Sequence, residues 1–471
     1  MTMILNIDPG AVAGLNKSEA EALRDLLDIF ASHHGKNETK NRYYEGRISL
    51  NEVNLGIALP HGMRGLQIGC SWAAKTVDVL AARSMFDGFV GSAGETVEEL
   101  DRMVASNRLI AEYMKAARDE LKYGCTFATL SADPDIGCKI RFHSPMSAAA
   151  KWDGEKGRIS CGFAIIDTKP DNENAIDWSP CLVNLYMDNA VIVLQRSGSV
   201  WSATRHPHRM GRPLMEPLIW NATTDKPFGR SRIKEPIRRM IQGYVRTVAD
   251  ATIGLEFSTS PQKYLLGITD EQYDQVISDK FRQYVGSIIA STGNPETGEK
   301  PSFGQLPQGN IEPHVQMVRV LATQFSAATG LTVADIGIVN DANPTSSDAI
   351  LAQSQTLVGM AEQLNVGNGD ALRTIALMAL AIAGRKTIDE LSEDQRAVVP
   401  HFKNPAMPSV AVTADAAIKI ASVRDGFAGT DTFLEMIGFS QADIRRIRAQ
   451  ETRSRGINLL KEIGLEADEA S

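Results

Sequence analysis

Two long amphipathic helices, separated by some fifty residues of strand and loop signals, constrain this chain more than any other feature of its sequence. Between Ser231 and about Phe257, the residues Ile233, Ile237, Met240, Ile241, Tyr244, Val245, Val248 and Ile253 fall on one apolar stripe. At about 1.5 Å per residue this predicts roughly 40 Å of helix, with Pro236 admissible only in the first turn. A second helix opens at Pro313, carries Met317, Val318, Leu321 and Phe325, and meets a stop at Gly330. Between the two, the chain turns at Ser260-Pro261 and shows a short apolar run at Tyr264-Leu265-Leu266. It then passes through a Gly/Pro-rich stretch from Thr292 to Gly309. An insert in that position projects away from the helix pair.

The flanking sequence divides by periodicity. Ser18 to Phe30 places Ala22, Leu23, Leu26, Leu27 and Phe30 at helical spacing, with Ser18 as expected N-cap and Glu21 closing a capping box. Tyr43-Tyr44-Glu45-Gly46 reads as a helix end. Further helices are predicted over Met63–Arg83 and Val97–Lys122. From Cys125 to Trp220 the apolar residues come in short β-branched and aromatic runs, with hairpin turns at Trp152–Gly157 and Arg196–Ser199. That is an antiparallel β region placed after helices, and the class is α+β. A loop over Leu331–Ser347, with Asn343-Pro344 as its turn signal, leads into helices predicted at Ser347–Leu364, Ala371–Gly384, Thr413–Val423 and Ser440 to about Ile463.

At 471 residues the chain exceeds one compact core. Its 43% hydrophobic and 23% charged residues fit a folded protein. No run of 18 or more wholly apolar residues occurs, and the first residues lack the pattern of a secretory signal. Five cysteines (70, 125, 138, 161 and 181) show no CxxC spacing and read as reduced, small apolar residues. No phosphate-cradling GxxxxGK[ST], GxSxG elbow, HExxH or EF-hand loop is present, so neither a catalytic role, a cofactor nor a metal is expected. Asp133 and Asp135 flank Pro134 as ordinary turn residues. His206 and His208 share one strand face, but Arg205, Arg209 and Arg212 would repel a cation there.

Net charge is −8, yet the segment from Arg205 to Arg239 runs against it. Arg205, Arg209, Arg212, Arg230, Arg232, Arg238 and Arg239, with Lys226 and Lys234, face only Glu216, Asp225 and Glu235, for a local charge of +6. Such a basic cluster is either a polyanion contact or a solvated or interface face.

Four stretches carry a resemblance to a known family. Tyr43–Gly46 leads into Leu55–Pro60, then Trp72–Leu80, Arg83 and Asp87-Gly88-Phe89. Gly211–Leu214 leads to Phe228–Ile233 and Pro261–Gly267. Asn343–Ile350 follows the second long helix, and Pro405–Lys419 precedes the last helices. In order and spacing these resemble the portal proteins of tailed double-stranded DNA bacteriophages, of the long-tailed siphophage type.

The resemblance implies a portal fold assembled as a ring. Residues 1–229 would be an α/β wing, 230–258 and 310–330 the two stem helices, and 259–309 the clip insert. Residues 331–346 would be a tunnel loop, and 347–471 the distal wing helices and helical crown. It implies a ring of twelve at one capsid vertex, in the virion and in the host cytoplasm during assembly. DNA would pass through its channel during packaging and ejection. The major capsid protein, the terminase packaging motor and the head-tail adaptor would be its partners. The tunnel-loop residues Asn340, Asp341 and Asn343 would line the channel. The rival class is another structural head protein, a scaffold or minor capsid protein, and a scaffold would lack the β region between helices.

Overall fold

Strand β6 (Trp178–Met187) shows how the β region is built. Val183 and Leu185 are buried on one side and Tyr186 on the other, so the sheet containing β6 is covered on both faces. In the computed structural model the described residues are 5, 7–48, 68–91, 97–170, 178–259, 263–266, 302–305, 310–337, 347–406, 410–439, 443–444 and 446–456. The chain divides into two units. The first comprises residues 1–41, 75–234 and 344–471, the second residues 42–74 and 235–343.

In the first unit, an antiparallel meander orders β4 (Ala148–Asp153), β5 (Arg158–Pro170), β6, β7 (Ala190–Ser197) and β8 (Val200–Pro207) into a five-stranded sheet. Both predicted hairpin turns fall between paired strands of it, at β4–β5 and β7–β8. Helix α1 (Lys17–Tyr44) covers one face, setting Leu23, Leu26 and Phe30 against Phe163, Val183, Leu185, Ile192, Leu194 and Trp201. The capping box of α1 lies two residues earlier than expected. Asn16 Oδ1 accepts from Glu19 N (2.9 Å), Glu19 Oε2 accepts from Asn16 N (2.9 Å), and Ser18 donates to Asn16.

The other face meets a three-stranded sheet of order β3 (Gly137–His143), β2 (Cys125–Asp133) and β9 (Met215–Ile219). Against this sheet pack α2 (Trp72–Ala81)'s neighbour β1 (Phe86–Val90), α3 (Glu98–Ser106), α4 (Leu109–Tyr123) and α7 (Ser347–Ala383). The helix expected over Val97–Lys122 is broken into α3 and α4 at Asn107, whose side chain donates to Met103 O and Cys138 O and accepts from Ile140 N. Only Trp72–Ala81 of the helix expected at Met63–Arg83 is helical among the described residues.

Two helices expected at Ser347–Leu364 and Ala371–Gly384 are instead one, α7, 37 residues long. The sequence Val366-Gly367-Asn368-Gly369 reads as a stop, yet Asn368 is buried and hydrogen-bonded within the unit. A Cβ at Gly369 would meet Pro400 and Phe402 only at ordinary contact distances, and the helix runs on through both glycines. Residues Ser354–Ala383 are long and apolar enough by composition to cross a membrane, but Leu372, Ile375, Ala376, Ala379 and Leu380 are spent in the core. The sequence places no strand at β12 (Val399–Phe402), which pairs with β1, and no helix at α9 (Asp431–Ile437), which follows α8 (Val410–Val423).

The second unit holds α5 (Glu235–Thr259) and α6 (Glu312–Thr329), joined through an antiparallel strand pair, β10 (Lys263–Leu266) with β11 (Ser302–Gln305). Both helices stand where the sequence places them. Pro236 occupies the first turn of α5, and Gly330 closes α6 in the left-handed conformation at φ 73°.

Candidate functional site

The helix pair of the second unit is built from one repeat on α5. Ile237, Ile241, Val245 and Ala249 recur every fourth residue and are all buried. Leu321, Ala322 and Phe325 of α6 are buried as well. Gly243 brings the two helices close, since a Cβ there would lie 3.3 Å from a Leu321 methyl. Trp72 packs against Tyr244 at 4.5 Å and Phe325 at 4.9 Å between ring centroids. Gln242 Nε2 donates to the Tyr43 hydroxyl at 2.6 Å, and the Arg238 guanidinium sits 5.9 Å from the Tyr43 ring centre. Away from these contacts, Leu255, Val315, Met317 and Val320 are exposed. On α6, Met317 and Val320 lie three residues apart and share one exposed face.

The seven arginines make different contacts. Arg205 is held bidentately by Glu19 of α1, with Nε and Nη2 at 2.8 and 2.7 Å from the carboxylate. Arg212 pairs with Glu216, whose carboxyl is pushed up to about 7 by burial, against the pull of Arg212 and Arg158. Arg230 lies 3.7 Å from Asp225 and is exposed. Arg232 is buried: its Nε donates to Thr76 O at 2.7 Å, its Nη1 to Met360 Sδ at 3.3 Å, and burial pushes it down to about 10. Arg238 and Arg239 belong to the second unit, and Arg239 pairs with Glu235 at 3.1 Å. Arg209 is exposed at the mouth of a cavity. Glu216, Asp225 and Glu235 are already counted in the local charge of +6, and Glu19, from outside the segment, lowers it by one more.

Of the predicted loop 331–346, the described part is a turn in which Thr332 and Asp335 cap one another. Asp335 Oδ2 accepts from Thr332 N and Oγ1 (2.8 Å each), and Thr332 Oγ1 accepts from Asp335 N (3.1 Å). Asn340, Asp341 and Asn343 lie outside the described residues, as does most of 259–309.

A buried polar chain escaped the sequence reading. Ser84 Oγ donates to Asn365 Oδ1 at 2.6 Å, so its oxygen must accept from the Tyr113 hydroxyl at 2.7 Å. Tyr113 in turn accepts from Asn368 Nδ2 at 2.9 Å. The second Asn368 N–H goes to Glu120 Oε2 at 2.8 Å. Burial pushes the Glu120 carboxyl up to about 8, opposed by the Asn368 hydrogen bond, and raises the Tyr113 phenol as well. Beside it, the segment leading to α5 docks on the end of α4, where Ser231 Oγ donates to Lys122 O (2.6 Å) and Arg232 N to Leu121 O (2.9 Å). A glycine-flanked asparagine within a helical pattern was the available signal, and it reads equally well as a stop. All five cysteines are buried and unpaired with one another, and among the described residues no group of three or more His, Cys, Asp and Glu could hold a metal.

Comparison with known proteins matches residues 23–456 to the family model described as "Phage portal protein, SPP1 Gp6-like". The "Portal protein" of Mycobacterium phage D29 is 25% identical over 456 residues, covering 94% of this chain and 90% of its own. Among solved structures, a chain of the virion of the native gene transfer agent particle is 12% identical with a TM-score of 0.43, over 78% of this chain and 89% of that one. A chain from the neck of the empty particle is 13% identical at the same TM-score, over 86% and 98%.

Proposed function

Because the chain belongs to the SPP1 Gp6-like family of phage portal proteins, structural components of the virion, we propose that twelve copies close into a ring at one capsid vertex. The ring is the channel through which double-stranded DNA is packaged and ejected. Residues 1–229 act as the wing, 230–258 and 310–330 as the stem, 259–309 as the clip, 331–346 as the tunnel loop, and 347–471 as distal wing helices and crown. The clip receives the terminase motor first and the head-tail adaptor later, while the major capsid protein surrounds the wing. Assembly begins in the host cytoplasm.

The observation that carries this reading is the pair of long helices, α5 and α6, with a strand pair between them in a chain matched to the family almost end to end. The exposed Leu255, Val315, Met317 and Val320 supply apolar surface for side-by-side contacts that close when the rotation permits. Charge agrees with a conduit. Twelve chains of −8 give a ring of −96, which repels the duplex from its walls, whereas twelvefold repeated phosphate contacts would brake it.

Native mass spectrometry tests the assembly. Twelve chains of 51.2 kDa weigh about 614 kDa, and electron images should show a central hole. A stable monomer at micromolar concentration across several salt conditions would rule the ring out.

A further inference from the structure

Strand β7 treats its two faces differently. It buries Ile192 and Leu194 on the face that α1 covers and leaves Val191 and Val193 half-buried on the other. These two valines, with Ile382 from the last turn of α7, line a cavity of about 600 Å³. That volume lies within the range of about 300–1,000 Å³ typical of ligand-holding pockets. Asn184 of β6 stands opposite Val193 in the sheet and lines the same cavity.

Two features of this cavity are unexplained by folding alone. The Asn184 carboxamide is satisfied at one end only: Nδ2 donates to the Tyr186 hydroxyl at 3.4 Å, while Oδ1 is buried without a hydrogen-bond partner among the described residues. A buried amide oxygen left without a donor is costly. The second feature is charge. Arg209, Arg385 and Lys386, all exposed, bring three cations to the rim against the single carboxylate of Glu390. That carboxylate is already committed, because its Oε2 accepts from Thr387 N at 2.8 Å in a capping box. Among the described residues no carboxylate comes within ion-pair distance of the three cations.

An apolar slot with an unpaired amide oxygen inside and cations at its rim calls for a ligand with three parts: an anion, an apolar body and a hydrogen-bond donor beyond it. We infer that the cavity binds a nucleotide, its base against the valines and Ile382 with its amino edge on Asn184, and its phosphate among Arg209, Arg385 and Lys386. The carboxamide oxygen and its second N–H complement the N6 and N7 of adenine, which makes adenine the preferred base. A free phosphate at the rim, or a fatty acid, leaves Asn184 Oδ1 unanswered. A free nucleotide and the unpaired end of a DNA strand offer the same chemistry. The inference concerns the first unit alone and is independent of ring closure.

Equilibrium dialysis of the full chain against deoxyadenosine monophosphate tests it. The nucleotide should bind saturably and about tenfold or more tightly than inorganic phosphate or deoxyadenosine, since each of these answers only one end of the cavity. Arg385→Glu with Lys386→Glu should weaken it about tenfold. Arg24→Glu with Lys36→Glu, exposed on α1 at the opposite face of the sheet, should leave it unchanged. No saturable binding, affinity no better than that of phosphate, or equal weakening by both charge-reversed pairs overturns the assignment. A photoreactive azido derivative of the nucleotide gives a measurement on the unaltered chain. Its cross-links should fall within residues 184–193 or 381–390, and cross-links confined to other segments count against the site. Competition then separates the sources. Displacement by a short single strand ending in adenine, but not by a circular single strand, identifies a strand end, and displacement by neither identifies the free nucleotide. Equal displacement by the circle shows a general strand-binding surface and overturns the cavity as the site.

Discussion

Glu120 receives its hydrogen bond from the amide of Asn368 and lies fully enclosed, so its neutral form is the one the fold favours up to a pH of about 8. The unfolded chain gives up the same proton near 4.5. Its contribution is therefore whole below pH 4.5 and is lost as pH rises toward 8, at up to about 1.4 kcal/mol per pH unit. Glutamine mimics the protonated acid. Glu120→Gln should match the parent in denaturant unfolding near pH 5 and exceed it progressively up to pH 8; parallel curves would show that the carboxyl is not held neutral. Nothing in the sequence marks Glu120, because a helical glutamate is ordinarily solvated and only the tertiary partners Asn368 and Tyr113 reveal it. The arginines teach the converse. A local charge of +6 is visible in sequence, while the partner of Arg205, Glu19, stands far away along the chain.

Among the elements, periodic helices and turn-bounded strands were legible: α5, α6, and the β4–β5 and β7–β8 hairpins fall where spacing and glycine stops put them. Their failures share a cause. Asn107 breaks a helix and Asn368 continues one because each side chain is committed to partners elsewhere, which local propensity cannot register. Backbone approach is equally invisible. Gly229, at φ 68°, is placed so that a Cβ would fall 2.1 Å from Trp220 O and 2.9 Å from Gly124 O. It fixes the turn through which β9 reaches Ser231 and Arg232, with Trp220 N bonded to Gly124 O and Arg230 N to Trp220 O. Gly229→Ala combines a left-handed residue with a backbone clash, so a loss of about 3 kcal/mol or more is expected in urea unfolding. A loss under 1 kcal/mol would mean that the turn relaxes freely.

At the scale of the whole molecule, the sequence was informative about order and poor about assembly. The α+β class and the helix–insert–helix plan follow from periodicity, whereas a channel is a property of many copies and reaches this chain through its family. The proposed tunnel loop bears on that directly. If Asp341 lines the channel, Asp341→Lys adds twelve phosphate contacts, and packaging or ejection should slow most at low ionic strength. Unchanged packaging there would place the loop outside the channel.

The division of the chain bears on how it can be cut. It passes between the two units four times, at 41/42, 74/75, 234/235 and 343/344. Two of these crossings, at 41/42 and 74/75, fall inside the helices α1 and α2. A nick after exposed Lys234 would leave both fragments, 1–234 and 235–471, owning part of each unit. Gel filtration of protein cut there through an engineered protease site should return one undivided particle, parting into fragments only in denaturant. The two units are interleaved along the chain, so no single cut releases either one as a separate fragment.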